Sequence, residues 1–524
     1  MPKPFYITTA IDYTNGAPHI GHAYEKVLAD VIARYHRLKG EDVFFLTGVD
    51  QHGQKVQQSA EKAGVAPQQF VDEITAKFVA LWGKLDVRYD GWAATTDPLH
   101  KSCVQGILQR LYDEKQIYKD KQEGYYSVRQ EQFLTDKERG PDGEFGPEWG
   151  EIEHREEENY YFRLAEHKDW LLGYLRARPD CVTPDFRQTE LINAVEKLSG
   201  DLCISRPTSR LSWGIELPFD PDYVNYVWFD ALTNYISFAG YDPSRSTFSD
   251  QPSTFLEKWP ALHVIGKDIL IPAHGIYWPI MLHALGFPDD QTPKFLVHGW
   301  WNISGAKMSK SLGNVIDPDS LADKYGPEAL RYYLMADIYS GRDADFAKER
   351  LVQRYNADLA NNLGNLLNRA MSMVWRYREG VLTKTGDSPG KLFDIEDVMA
   401  KSDVCSILGT VMLLPQSGNG LIEHTAPWKI AKQEQDGELG AKLNLDFVLY
   451  HLAETLRIIA ILISPVLPKA AHGIFDQLNW KMKPELSGKE ERFSLGEAEW
   501  GELPDGHVVG KPTPLFPRIE SVSG

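Results

Sequence analysis

Two short stretches of this chain carry residue types and spacings that do chemistry together: His19-Ile20-Gly21-His22 and Lys307-Met308-Ser309-Lys310-Ser311. In the first, two imidazoles flank a glycine where a strand pattern gives way to a helical one. A helix N-terminus offers unpaired N–H groups and partial positive charge, and phosphates settle there. Gly21 lets a base or ribose approach the backbone closely. His19 and His22 can face one way and donate to phosphate oxygens as charge spreads onto them. The second stretch lies between Gly305 and Gly313. Its lysines, Lys307 and Lys310, with Met308 and Ser309 between them, suit a mobile clamp on a triphosphate, where they neutralise the charge of departing pyrophosphate. Alone, the first reads equally well as a turn glycine with surface histidines, and the second as a solvated basic loop. In this order and together they point to activation of a carboxylate by ATP, with an adenylate formed and pyrophosphate released.

These residues need a frame. Residues 5–11 read as a strand, with Phe5, Ile7 and Ile11 at alternating positions. A helical pattern runs from about His22 to Leu38, with Ala23, Val27, Val31, Tyr35 and Leu38 on one stripe, and Lys39-Gly40 ends it. Val43-Phe44-Phe45-Leu46-Thr47-Gly48 is a second buried strand, with Asp50 just past its carboxyl end. Strand, helix, strand is a βαβ unit on a parallel sheet. The pattern lapses over 118–225, which reads as an inserted module. It returns in the strand Leu262–Gly266, a helix over about 273–285 and the strand Phe295–Gly299. From about 350 to 480 the pattern is helical throughout and predicts a bundle.

The expected class is α/β: a parallel-sheet domain split by an insert, then an all-α bundle. The boundaries expected are 1–117 and 226–300 for the split domain, 118–225 for the insert, 301–349 for the lysine loop and a stem-contact region, 350–485 for the bundle, and 486–524 for a tail packing back on the core. At 524 residues two to four domains are expected. The four cysteines, Cys103, Cys181, Cys203 and Cys405, form no C-x-x-C pair, which argues against a disulfide framework or a cysteine zinc site. No apolar run is long enough to span a bilayer and no export signal opens the sequence, so a cytosolic protein without a membrane partner is expected. The net charge of −18 speaks against a generally adhesive nucleic-acid binder. Residues 350–378 nonetheless carry five arginines (Arg350, Arg354, Arg369, Arg376, Arg378) and one acid, Asp358, on what reads as one long helix. Asn362, Asn365, Arg369 and Arg376 share a face that suits unpaired bases and phosphates.

The HIGH and KMSKS words, both unaltered here, resemble those of the class I aminoacyl-tRNA synthetases. That resemblance implies a Rossmann-like fold, with His19, His22, Lys307 and Lys310 catalytic and Gly21, Gly266, Asp268, Met308 and Ser309 joining them around ATP. Further segments resemble the methionyl-tRNA synthetases: Ala10-Ile11-Asp12-Tyr13, Thr47 through Gly53, Trp228 through Tyr235, and Gly266-Lys267-Asp268 with His274 through Trp278. By that resemblance Ala10, Ile11, Tyr13, Trp228, Ala231, Tyr235, His274 and Trp278 wall a methionine pocket, and Asp50 holds the substrate α-ammonium. Relatives often have proline where this chain has Asp12. Sulfur packs well on aromatic rings, and one or two hydroxyl or imidazole donors near it complete the expected pocket. The resemblance also implies ATP with Mg²⁺, L-methionine and tRNA(Met) as ligands. Asn365, Arg369 and Trp428 match anticodon contacts. Many relatives carry zinc knuckles in the insert; residues 124–162 contain no cysteine, so no metal site is expected. Some relatives dimerise through a further C-terminal domain, for which this chain leaves no room, so a monomer is expected. A synthetase for leucine, valine or cysteine, an H-x-G-H nucleotidylyltransferase, and a tRNA-binding protein with a dead site are the alternatives.

Overall fold

Parallel pairing dominates the first half of the chain. The computed structural model describes residues 3–127, 132–134, 139–140, 142–303, 305–307, 315–386, 403–480 and 493–520. Phe5–Thr9 lies at the centre of a seven-stranded sheet, with Val43–Asp50 on one side and Leu262–Gly266 on the other, all parallel. Lys294–His298 and Val182–Thr183 follow outward beyond Leu262–Gly266. Val49 pairs with both Asp12 and Ala94. A strand residue has one neighbour on each side, so Asp12–Tyr13 resumes the line of the first strand after a break at Ala10–Ile11. The chain leaves Phe5–Thr9 toward one side and later returns on the other. That makes a switch point at its carboxyl end, where open α/β sheets bind ligands.

The helix Ile20–Leu38 carries the expected apolar stripe, but it is buried nearly all round, including Glu25, Lys26, Asp30 and Arg34. Such charges stay inside only when paired. Asp30 accepts from Arg34 at 2.8 Å and from Arg331 at 2.7 Å. Arg331, on the helix Pro327–Ala336, also donates to the carbonyls of Leu85, Pro465 and Val466, each at 2.9 Å. One carboxylate thus joins the first helix to the helical region.

The insert expected over 118–225 is only partly a separate module. Ile117–Ser127 and Ile152–Phe162 form an antiparallel ribbon, extended by Gln132–Leu134 and Leu202–Cys203. Val182–Thr183, however, belongs to the main sheet, paired in parallel with Phe295 and Leu296. A two-residue strand is too short to leave a periodic signal.

Trp301–Ile303 pairs with Ala306–Lys307 on one side and Ala344–Asp345 on the other, and this small sheet carries the start of the lysine loop. Met308, Ser309 and Lys310 lie outside the described residues. The long helix expected from 350 is three pieces: Lys348–Arg354, a wider π-helical stretch Tyr355–Gly364, and Asn365–Arg378. Five more helices, from Val404–Val411 to Pro468–Leu478, pack with it. The last described residues return to the bundle. His507–Val508 pairs with Val381–Leu382, and the Trp375 indole donates to the Gly510 carbonyl at 2.6 Å. Among the described residues no helix is long and apolar enough to cross a membrane.

Candidate active site

His19 is the N-cap of the first helix, and histidine does the capping. Its Nδ1 accepts the Gly21 N–H at 3.1 Å, and His22 Nδ1 reaches back to accept the His19 N–H at 3.1 Å. This is a capping box built of imidazoles. The rings stack with centroids 3.7 Å apart. Since both Nδ1 atoms accept, the neutral form of each ring bears its proton on Nε2, the form that donates to phosphate oxygen. A Cβ on Gly21 would stand 3.0 Å from the His19 ring, so a side chain there would press on the capping imidazole.

Both histidines and Gly21 line a cavity of about 240 Å³ at the switch point. Gly266 and Asp268 complete it from the neighbouring strand, and Trp300 and Trp301 close one side. A Cβ on Gly266 would stand 2.7 Å from Asp268 Oδ1, too close to be accepted without a shift. Asn302, next to Trp301, pairs with Lys307, so the lysine loop departs from the rim of this same cavity.

A second cavity, of about 820 Å³, adjoins it. Ala10, Ile11, Tyr13 and Ile269 line both, so the strand break forms a common wall. Eight of the nine residues expected around methionine line the larger cavity: Ala10, Ile11, Tyr13, Asp50, Trp228, Ala231, Tyr235 and His274. Trp278 is the ninth. It is fully buried behind the wall, 5.8 Å from the Tyr235 ring, and donates to His263 Nε2 at 3.1 Å. Leu270–Tyr277, which leads from His274 to Trp278, is a π-helical stretch with Ile271 extended.

The donors expected for the sulfur serve the wall itself. His274 Nδ1–H donates to the Ile269 carbonyl at 3.0 Å, so its Nε2 must accept, and it takes the Tyr235 O–H at 2.7 Å. Burial pushes the His274 pKa down to about 4, which keeps the ring neutral. Tyr235→Phe would leave that buried Nε2 without a donor, at a cost of about 1–3 kcal/mol. We expect a lower melting temperature in thermal unfolding and a smaller change in methionine-dependent turnover.

Asp50 sits at the far end of the cavity, buried. It accepts the His52 N–H at 3.3 Å and a bond from the Thr95 hydroxyl. Among the described residues no salt bridge reaches it. Burial first, and the nearby Asp230 carboxylate second, push its pKa well above the usual carboxylate range. Asp230 is the opposite case. Against the desolvation that burial imposes, His52 Nδ1 at 2.7 Å and His100 Nε2 at 2.8 Å hold its pKa down at about 2. Asp50 is therefore a buried acid with no cationic partner among the described residues. Asp230, His52 and His100 went unread in the sequence, although two of them lie inside segments quoted above; His100 carried no local signal.

The family model for tRNA synthetases class I (M) matches residues 5–142 and 149–371. The chain is 41% identical to the methionine–tRNA ligase of Lactococcus lactis over 99% of this chain and 78% of that one. It is 40% identical to that of Bacillus subtilis over the same shares. The chain belongs to the methionyl-tRNA synthetases. Among solved structures, the Mycobacterium tuberculosis methionyl-tRNA synthetase in complex with methionyl-adenylate is 36% identical, with a TM-score of 0.89 over 98% of this chain and all of that one. The apo form of that enzyme has a TM-score of 0.82.

In this synthetase the expected anticodon residues sit on adjoining helices. Asn365 Nδ2 donates to Asn419 at 3.0 Å, and Arg369 pairs with Glu423 at 2.7 Å, both partners on Leu413–Thr425. The chain then turns at Ala426, which adopts a left-handed conformation (φ 46°), into Pro427–Gln435, where Trp428 is 46% exposed. The basic face read from the arginines is largely neutralised. Asp337 takes Arg350 and Arg354, Glu423 takes Arg369, and Glu434 and Asp446 take Arg378. Arg376 alone of the five forms no ion pair among the described residues; it is exposed and lies over the Tyr377 ring.

Proposed function

We propose that this synthetase activates L-methionine with ATP to methionyl-adenylate, releasing pyrophosphate, and then passes the methionyl group to the 3′ end of tRNA(Met). One observation carries the reading. A cavity with a buried uncompensated carboxylate and aromatic walls meets, across one wall, a cavity built on an imidazole-capped helix. Methionine enters with its ammonium on Asp50 and its side chain between Tyr13, Trp228 and Tyr235. Its carboxylate then lies toward Ala10 and Ile11, facing the nucleotide. The ribose sits against Gly266 and Asp268, and His19, His22, Lys307 and Lys310 draw charge from the phosphates as the α-phosphorus is attacked in line. Positioning and charge stabilisation do the work. Among the described residues no three potential ligands converge on a metal. That suits Mg²⁺ carried in on the triphosphate, which keeps several waters and needs few protein ligands. The test is exchange of labelled pyrophosphate into ATP. Methionine should support it and leucine, valine and cysteine should not; exchange with one of those instead would overturn the reading.

The anticodon assignment rests on Asn365, Arg369 and Trp428 lying on adjoining helices. The Arg369–Glu423 pair is at the surface, where such pairs contribute little, so a phosphate can replace the carboxylate. Base stacking contributes about 1–3 kcal/mol. Trp428→Ala is expected to lower kcat/KM for tRNA charging about tenfold to hundredfold with pyrophosphate exchange unchanged, measured side by side.

A further inference from the structure

Beside the capping histidines lies a buried charge cluster that the reaction scheme above does not use. Lys26 is fully buried, and its ammonium spends three donors: on the Ala10 carbonyl at 2.8 Å, Asp12 Oδ1 at 2.7 Å and Glu25 Oε1 at 2.9 Å. Glu25 Oε2 lies 3.1 Å from His298 Nε2, and His298 Nδ1 lies 2.8 Å from the Gly299 carbonyl. The cluster ties the strand break to the first helix and to the end of Lys294–His298. Asp12, Glu25 and His298 all line the nucleotide cavity. Asp12 is 4% exposed, and its Oδ2 has no hydrogen-bond partner among the described residues. Ala10, to whose carbonyl Lys26 is tied, belongs to the wall common to both cavities.

We propose that Lys26 and Asp12 are positioning residues of the synthetic site, fixing the wall from Ala10 to Tyr13 against the first helix so that the methionine carboxylate and the nucleotide meet at reacting distance. Neither assignment belongs to the binding roles described above, and the proposal rests on the function given there. Buried ion pairs cost desolvation, and geometric specification is their best-attested use. Here the specified geometry is that of a wall shared by two substrates, so loosening it raises both KM values together.

The tie also responds to pH. Burial raises the Asp12 pKa to about 7, with Lys26 opposing and Glu25 reinforcing the rise. Below that pH Asp12 is neutral and Lys26 keeps only Glu25 as an ionic partner; above it the second ion pair forms. Among the described residues, the charged or titratable groups that share this cavity with Asp12 are Tyr13 beside it, Glu25 on the first helix, His19 and His22 at its start, Asp268 after the next strand, and His298, with Lys26 bonded to Asp12 itself. All are retained in Asp12→Asn, so the difference between parent and variant isolates Asp12.

The experiment measures methionine-dependent pyrophosphate exchange between about pH 6 and about pH 8. In the parent, KM for ATP and KM for methionine should both fall roughly tenfold as pH rises through the Asp12 transition. In Asp12→Asn the fall in KM for ATP should be lost, and the fall in KM for methionine should be smaller than the parent's, since Asp50 still titrates in both. Lys26→Met removes the tie to Ala10 as well and should raise both KM values at the upper pH; fluorescence titration with methionine alone reports the loosened wall if turnover is too low to follow. An Asp12→Asn profile superimposable on the parent's overturns the proposal. A parent that exchanges no pyrophosphate with methionine overturns the function instead.

Discussion

Asp50→Asn is expected to raise the melting temperature of the ligand-free protein while nearly abolishing methionine activation. Asp50 is buried, close to Asp230 and without a salt bridge among the described residues, and its pKa lies well above the usual range. The folded state therefore holds the Asp50 proton more tightly than the unfolded chain does. Stability is highest in acid and declines as pH rises from the ordinary carboxylate range to the folded pKa. Asparagine keeps the shape and an oxygen to accept the His52 N–H, but has no proton to lose. The variant should gain about 0.5–2 kcal/mol at neutral pH, and the gain should vanish near about pH 4, both read from thermal unfolding. Activity moves the other way. Truncating one partner of a buried charge pair costs about 2–5 kcal/mol, so exchange at low methionine should fall by about two to three orders of magnitude. Methionine at a hundredfold excess over its Kd should stabilise the parent by about 2.7 kcal/mol and leave the variant unmoved. A variant that is less stable than the parent at neutral pH and still shifted by methionine would contradict the assignment.

His22 should show a split between two substitutions. Its Nδ1 caps the first helix through the His19 N–H, which leaves Nε2 as the donor toward phosphate. His22→Ala loses both jobs. Removing one preorganised donor from a site where charge develops costs about 100- to 1000-fold in kcat, and the exchange rate should fall by that factor with KM for methionine nearly unchanged. Glutamine at this position of a capping box is a natural replacement. Its carbonyl oxygen accepts the His19 N–H while its amide nitrogen donates where the imidazole did. His22→Gln should therefore recover part of the lost rate, and equal losses in the two variants would place His22 outside the phosphate site.

These expectations divide by how local their causes are. The nucleotide corner was legible because capping is decided within four residues: His19, Gly21 and His22 organise one another. The position of Asp50 on a cavity was legible because it ends a parallel strand at the sheet's carboxyl edge. Trp278 was placed on the pocket wall by resemblance, and its indole lies behind Tyr235 after the π-helical stretch Leu270–Tyr277. The sulfur donors were misjudged because the proton on His274 is fixed by the Ile269 carbonyl, a backbone atom that no residue pattern announces. The arginines of 350–378 looked unopposed because their acids, Asp337, Glu423, Glu434 and Asp446, come from other helices. Val182–Thr183 was too short to be seen as part of the main sheet.

The carboxylate of Asp30 has a mechanical meaning. It grips Arg331, which in turn holds the carbonyls of Pro465 and Val466, while the other end of the same helix presents the capping imidazoles. A rigid rod pinned to the bundle at its rear and carrying the phosphate cap at its tip cannot melt at one end alone. Heat should dissolve the nucleotide corner and the helical half in a single calorimetric peak.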